Sequence, residues 1–150
     1  MARTALSMLA VVAVVSAGLF AGAALYVSAV EHPARMSCGP EVAVREFGPS
    51  YRRGTIMQAS LALIGGVAGF VSFLSAKDPW VLAASLLLVS VVPFTLLVIL
   101  PTNKQLLDPT LDSTSSRAVG LLKRWGHLHA VRTTCSALAF VIFVWRLINE

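Results

Sequence analysis

Charge is scarce in this chain. Of its 150 residues 13% are Asp, Glu, Lys or Arg and 57% are hydrophobic, with a mean hydropathy of +0.79. A soluble domain carries about 25% charged and about 45–50% apolar residues, so a soluble globular protein is excluded. Cysteine is nearly absent. Cys38 and Cys135 stand far apart, without the C-x-x-C of a thiol–disulfide relay or the spacing of a zinc ribbon, although a Cys38–Cys135 bridge stays open. There is no glycine-rich nucleotide-binding motif, no low-complexity tract, no internal repeat and no sign of a second domain. The net charge of +5 would suggest nucleic acid in a soluble chain. Here it reads as loop charge that orients a membrane protein, because Lys and Arg collect on one side of a bilayer. No nucleic-acid partner is expected; the lipid bilayer is.

What is present is long apolar sequence, in four blocks that each approach the roughly 20 residues a helix needs to cross hydrocarbon. The expectation is an all-α, integral membrane four-helix bundle, one domain over 1–150, with helices at about 4–30, 55–75, 80–100 and 115–148. The first block is too long for a signal-peptide core of about 7–15 residues and is read as a retained helix. Its Ala17, Gly18, Ala21 and Gly22 would permit close helix contact. Pro93 should kink the third helix and free the carbonyl of Val89, and Pro101 should end it. Four crossings put both termini on one side with Arg3, Lys77 and Arg146. The loops 31–53 and 101–124 fall on the other with Arg35, Arg45, Arg52, Arg53, Lys104, Arg117, Lys123 and Arg124. Eight cations against three predict that both long loops are cytoplasmic.

The same topology gathers polar residues at one end of the bundle. These are Glu31, His32 and Arg35 after the first block, and Tyr51, Arg52 and Arg53 before the second. Thr102 and Asn103 follow the third block, and Trp125, His127, His129 and Arg132 enter the fourth. Arg45, Arg52, Arg117, Lys123 and Arg124 read as ordinary interfacial anchors, and Trp80 as a belt aromatic. His127 lies roughly 200° around the helix from His129 and faces away with Arg124. Trp125, His129, Arg132 and Ser136 recur at i, i+4, i+7 and i+11, one stripe of a helix. Ser28, Glu31, His32 and Arg35 form a comparable stripe on the first helix, so a His-x-x-Arg pair occurs on each. A charge in the bilayer costs on the order of 2.5–3.5 kcal/mol at the centre and less towards the edge, so such residues tend to face the protein interior and to act. Glu31 or Asn103 could neutralise one of the arginines. A site built on His32, Arg35, His129 and Arg132 is therefore expected.

Four short motifs occur in order: Glu31-His-Pro-Ala-Arg35, Tyr51-Arg-Arg-Gly54, Pro101-Thr-Asn103, and Arg124-Trp-x-x-Leu-His-x-Val-Arg132. Together they resemble the anthrone oxygenase-like family of small four-helix membrane proteins, over about residues 15–145. The family's polar signature falls here on Glu31, His32, Pro33, Arg35, Tyr51, Arg53, Gly54, Pro101, Asn103, Trp125, His129 and Arg132. The resemblance implies oxidation of an anthrone-type aromatic polyketide to an anthraquinone with O2, a monooxygenase reaction of secondary metabolism on a hydrophobic aromatic small molecule. The residues suit it. A neutral histidine with an ordinary pKa near about 6.5, His129 or His32, is a fitting base for the acidic methylene. Arg35 and Arg132 would clamp the resulting oxyanion. Tyr51 and Asn103 would orient the carbonyl or peroxide, Trp125 would stack on the rings, and Glu31 and Arg53 would complete the binding residues. The electron-rich carbanion can reduce oxygen directly, so no cofactor is expected. Copper or iron on His32, His129 and Glu31 is the variant, although no close-spaced ligand pair supports it. Two other function classes compete: a non-enzymatic adaptor or lipid-binding protein, and an oxidoreductase acting on another quinone or phenol.

Overall fold

The computed structural model describes residues 2–149 of the chain, with side chains from Met8 onward; Arg3, counted above, lies outside those side chains. Four helical rods run up and down. The first, α1, spans 2–37 as an α-helix Ala2–Tyr26, a π-helical turn Val27–Glu31 and a further α segment His32–Ser37. The second, α2, is unbroken from Pro40 to Ala76. The third, α3, runs Pro79–Leu106 with its own π turn at Thr95–Ile99, and α4 covers Ser116–Ile148. Each rod packs on its neighbours in sequence, and α4 closes the ring against α1.

All four rods are long and apolar enough to cross a membrane. Their outward faces carry large bare hydrophobics such as Ile56, Leu97 and Ile148, which water would penalise and lipid accepts. The chain is an all-α, four-helix membrane bundle. Inside, small residues set the spacing: a Cβ added at Gly69 of α2 would lie 2.7 Å from the ring of Phe143 on α4.

The expected 31–53 loop does not exist. Only Cys38 and Gly39 separate α1 from α2, and Gly39 takes φ +90°, a left-handed conformation that glycine adopts without strain. Residues 40–53 are too polar to register as an apolar block, yet Ala43 and Phe47 bury at helical spacing and Glu41 pairs with Arg45 one turn on. With 37 residues, α2 is about 55 Å long at 1.5 Å per residue, well beyond the roughly 30 Å of hydrocarbon. Pro101 likewise does not stop α3, because it sits in the first turn of the segment after the π turn, where a missing N–H costs little. Pro93 is absorbed within the helix just ahead of that π turn. The connection that remains, 107–115, is held by Asp108 and Asp112. Each accepts from the N–H and hydroxyl of a threonine two residues on, which keeps both carboxyls below the usual carboxylate range. Cys38 and Cys135 are free thiols, so no bridge joins them.

Two cores result. One, in the apolar half, is built on Ala17, Phe20, Ala62, Leu88 and Phe143. The other, in the extended half, is built on Phe47, Ile99, Leu106, Leu122 and Trp125. At the far end Trp80 packs edge-on against Trp145, and Asp78 caps α3 by accepting from Trp80 N–H at 2.8 Å while pairing with Arg146. Asp78→Ala should remove the cap, worth about 1 kcal/mol, and strand Arg146. Thermal unfolding in detergent should show a clear drop in Tm, with Asp78→Asn, which can still cap, losing less. An unchanged Tm for the alanine variant would contradict this.

Candidate functional site

The polar residues gather between the two cores, at 27–35 of α1, 50–58 of α2 and 125–132 of α4. There a cavity of about 40 Å³ is lined by Arg35, Tyr51, Gln58, Trp125, His129 and Arg132, with Val27, Phe47, Ser50, Gly54 and Thr55 completing its wall. His129 is 3% exposed. Trp125, His129 and Ser136 are buried and Arg132 is half-buried, while Arg124 and His127 face outward. The single stripe read from α4 is therefore its inward face.

The two arginines are held differently. Arg35 pairs with Glu31 one turn back and donates to Ser50 Oγ at 3.1 Å, and Ser50 in turn donates to Glu31 at 2.7 Å. Its Nε also lies 2.9 Å from Glu46 Oε2, an ion pair in which the N–H is not aimed at the oxygen. Two carboxylates thus offset one guanidinium, which rests 5.7 Å above the Trp125 ring. Arg132 donates to Gln58 Oε1 at 2.7 Å and lies 5.5 Å above the Phe20 ring. Among the described residues no carboxylate pairs with it. Arg35 is locally neutralised, whereas Arg132 keeps its charge.

His129 is fixed by a chain of hydroxyls. Its Nδ1 lies 3.0 Å from Ser28 Oγ, and Ser28 Oγ lies 2.8 Å from Thr133 Oγ1. Thr133 Oγ1 reaches two carbonyls at 3.2 Å, Ala24 across the interface and His129 one turn back. A helical threonine commonly donates to such a carbonyl. With that donor assigned, its one proton is used, and Ser28 donates to Thr133 and accepts from His129 Nδ1–H. The assignment follows from this network. It leaves Nε2 unprotonated, and no side chain among the described residues bonds that atom.

The other expected residues divide. Tyr51 lines the cavity, stacked on Phe47 at 5.7 Å. His32 does not line it. Its ring packs 5.2 Å from Trp125 and so close to Gly126 that a Cβ there would come within 2.5 Å of Nε2. Trp125 itself is 6% exposed, enclosed by His129 at 4.8 Å, Phe47 edge-on at 5.4 Å, His32 and Arg35. These four side chains cover much of the ring, and the remainder forms part of the cavity wall. Arg53 is exposed on an outer groove, and Glu31 belongs to that groove and to Arg35. Asn103 is buried away from the cavity lining, bonded to no arginine and with neither amide atom paired. Three side chains of His, Cys, Asp or Glu do not converge on any one point among the described residues, so Glu31, His32 and His129 form no ligand set here.

Gln58, Ser50, Glu46 and Thr133 escaped the reading of motifs. Gln58 carried a usable signal, a lone amide in an apolar block seven residues after Tyr51 and hence on the same helix face.

Comparison with known proteins gives a consistent grouping. The family profile described as anthrone oxygenase matches residues 47–142, more than half of the chain. An anthrone oxygenase of Claviceps purpurea is 28% identical over 137 residues, covering 82% of this chain and 79% of that protein. One of Aspergillus novofumigatus is 32% identical over 134 residues, covering 81% and 82%. No solved structure matches.

Ser28→Ala should release the tautomer. In 15N spectra of histidine-labelled protein, His129 should show a protonated Nδ1 and a bare Nε2, and the variant should show a mixture of both forms. A wild-type His129 carrying its proton on Nε2 would overturn the assignment.

Proposed function

This chain belongs to the anthrone oxygenase family, and from that premise we propose that it oxidises an anthrone-type tricyclic aromatic to the anthraquinone with O2. The observation that carries the proposal is that, among the described residues, His129 Nε2 has no side-chain partner and Arg132 no carboxylate partner, and both residues line the same small cavity. His129 Nε2 takes a proton from the methylene carbon. That carbon is acidic because it lies between two aryl rings and is conjugated to the carbonyl. The charge spreads to the carbonyl oxygen, where Arg132 stabilises it as a preorganised donor does for a developing oxyanion.

The carbanion gives one electron to O2, and the resulting radical and superoxide combine into a carbon–oxygen bond. The proton held on His129 passes to the terminal peroxide oxygen. Removal of the second methylene proton then breaks the O–O bond, forming the new carbonyl and expelling hydroxide, which leaves as water with that proton. One O2 is consumed and one water released per quinone. The electrons come from the substrate, so the route calls on no further reductant.

Arg35 was expected to share the clamp with Arg132, and His32 was an equal candidate for the base. Arg35, already paired with Glu31 and close to Glu46, positions Trp125 and Ser50 in this scheme. His32, packed against Trp125 and Gly126, supports the aromatic cluster. Tyr51, on the cavity wall, is the hydroxyl closest in role to orienting the carbonyl or peroxide.

The test is O2 uptake and quinone formation by purified protein with an anthrone, corrected for spontaneous autoxidation. His129→Ala should lower the enzymatic rate by about 10²–10⁴-fold, the usual worth of a positioned base. Arg132→Met should lower it by about 10²–10³-fold, with Arg132→Lys between it and wild type. Metal analysis of the same preparation and a chelator control decide whether copper or iron takes part, and the direct route predicts full activity after chelation. Wild-type rates no greater than the protein-free background would remove the anthrone reading. Full activity of Arg132→Met and His129→Ala would remove these assignments.

A further inference from the structure

The cavity at His129 is too small for the substrate proposed for it. One water needs about 10–15 Å³ of cavity space, so about 40 Å³ suits a few waters or an O2 molecule and not three fused rings. A second depression touching Arg132 from the α3 side, beside Val91 and Leu96, holds only about 70 Å³. The groove between α1 and α2 is of another scale. It measures about 580 Å³, within the roughly 300–1,000 Å³ typical of small-molecule sites.

That groove and the cavity share Val27, Ser50, Gly54 and Gln58, so the two are separated by a wall one side chain thick. Ser50 and Gln58 are tied inward, to Glu31 and Arg35 and to Arg132 respectively. At Gly54 the wall has no side chain, and a Cβ built there would meet nothing within 4 Å. The groove is also polarised along its length. Glu31 and Glu46 stand towards one end and Ala23 and Met57 towards the other, with Arg53 between them beside Gly54 and with Tyr26 and Met57 exposed on the outer face. A flat aromatic with a phenol or carbonyl at one edge matches that gradient.

We propose that the α1–α2 groove is the docking site of a planar tricyclic phenolic substrate arriving from the bilayer, and that the gap at Gly54 is the passage by which its reacting edge reaches His129 and Arg132. The proposal rests on the anthrone reading for the identity of the substrate, but its geometry can be tested apart from turnover. Gly54 is then the residue that sets how wide a substrate edge can enter.

The experiment uses the full chain in nanodiscs with 1,8-dihydroxyanthraquinone as a non-reacting probe and an anthrone as substrate. Met57→Trp, which puts a bulky ring on the groove lining, should weaken probe binding at least tenfold. Gly54→Ala, Gly54→Val and Gly54→Leu should lower kcat/KM in order of side-chain size, at least tenfold for leucine, and by a larger factor than they weaken probe binding. The alanine and leucine variants should keep or raise Tm, since glycine inside a helix is the weaker helix former. Probe binding unaffected by Met57→Trp would overturn the docking site, whether the groove then proves to hold a lipid or a second copy of the chain. A folded Gly54→Leu with wild-type turnover would overturn the passage. Probe binding that follows the prediction, with no turnover by wild type, would leave the groove in place and remove the anthrone reading.

Discussion

A guanidinium within an apolar bundle is tolerated only where protein atoms replace its water, and the middle of this molecule is organised around two of them. Arg35 draws in Glu31, Glu46 and Ser50, which fixes the rotation of α1 against α2 over two turns. Arg132 draws in Gln58 and the face of Phe20, which fixes α4 against both. An uncompensated charge at membrane depth costs several kcal/mol, and breaking a buried pair by deleting one partner costs more than the pair was worth. The contacts therefore confer specificity of alignment more than net stability. They hold the bundle in the register in which Ser28 meets His129.

The contrast between the two arginines matters chemically. With two carboxylates in its first surroundings, Arg35 presents little net charge to the cavity. Arg132 is bonded to a neutral amide, so its positive field extends into the space it lines. Low surrounding polarity strengthens that field relative to water. A developing oxyanion would be stabilised at Arg132 and hardly at Arg35. Two identical His-x-x-Arg motifs, equivalent as letters, thus become unequal through partners that lie on other helices.

That inequality marks the boundary of what the sequence discloses. Block length and hydropathy were enough for four membrane helices, and the i, i+4, i+7, i+11 stripe was enough to turn Trp125, His129 and Arg132 inward while leaving Arg124 and His127 outside. Up-and-down topology was enough to bring Arg35, Tyr51, His129 and Arg132 to one level. Helix ends were not legible, because 40–53 is amphipathic and a search for apolar runs passes over it; Phe47 and Ala43 bury only because α3 and α4 also extend to meet them. Nor could the sequence say that Trp125 would be packed among His32, His129, Phe47 and Arg35, or that Asn103 would be buried off the cavity lining. Those outcomes depend on which side chains four helices interleave, and pairwise spacing on one helix does not contain that information.

The division into a small polar cavity and a large outer groove also bears on why such chemistry would be placed in a membrane bundle at all. A carbanion beside open water is reprotonated, and an anthrone in solution oxidises on its own, so an enzyme must release the carbanion only where O2 is the available partner. Oxygen partitions favourably into hydrocarbon, as does a planar polycyclic. Under the proposed function, a site between an apolar core and a polar extension would receive both from the lipid side and keep His129 and Arg132 dry. The π turn at Val27–Glu31 lies where α1 passes this boundary, and it carries Val27, which lines both cavity and groove, Ser28, which meets His129, and Glu31, which lines the groove. Such turns insert one residue into the helical ladder and are frequent at functional sites.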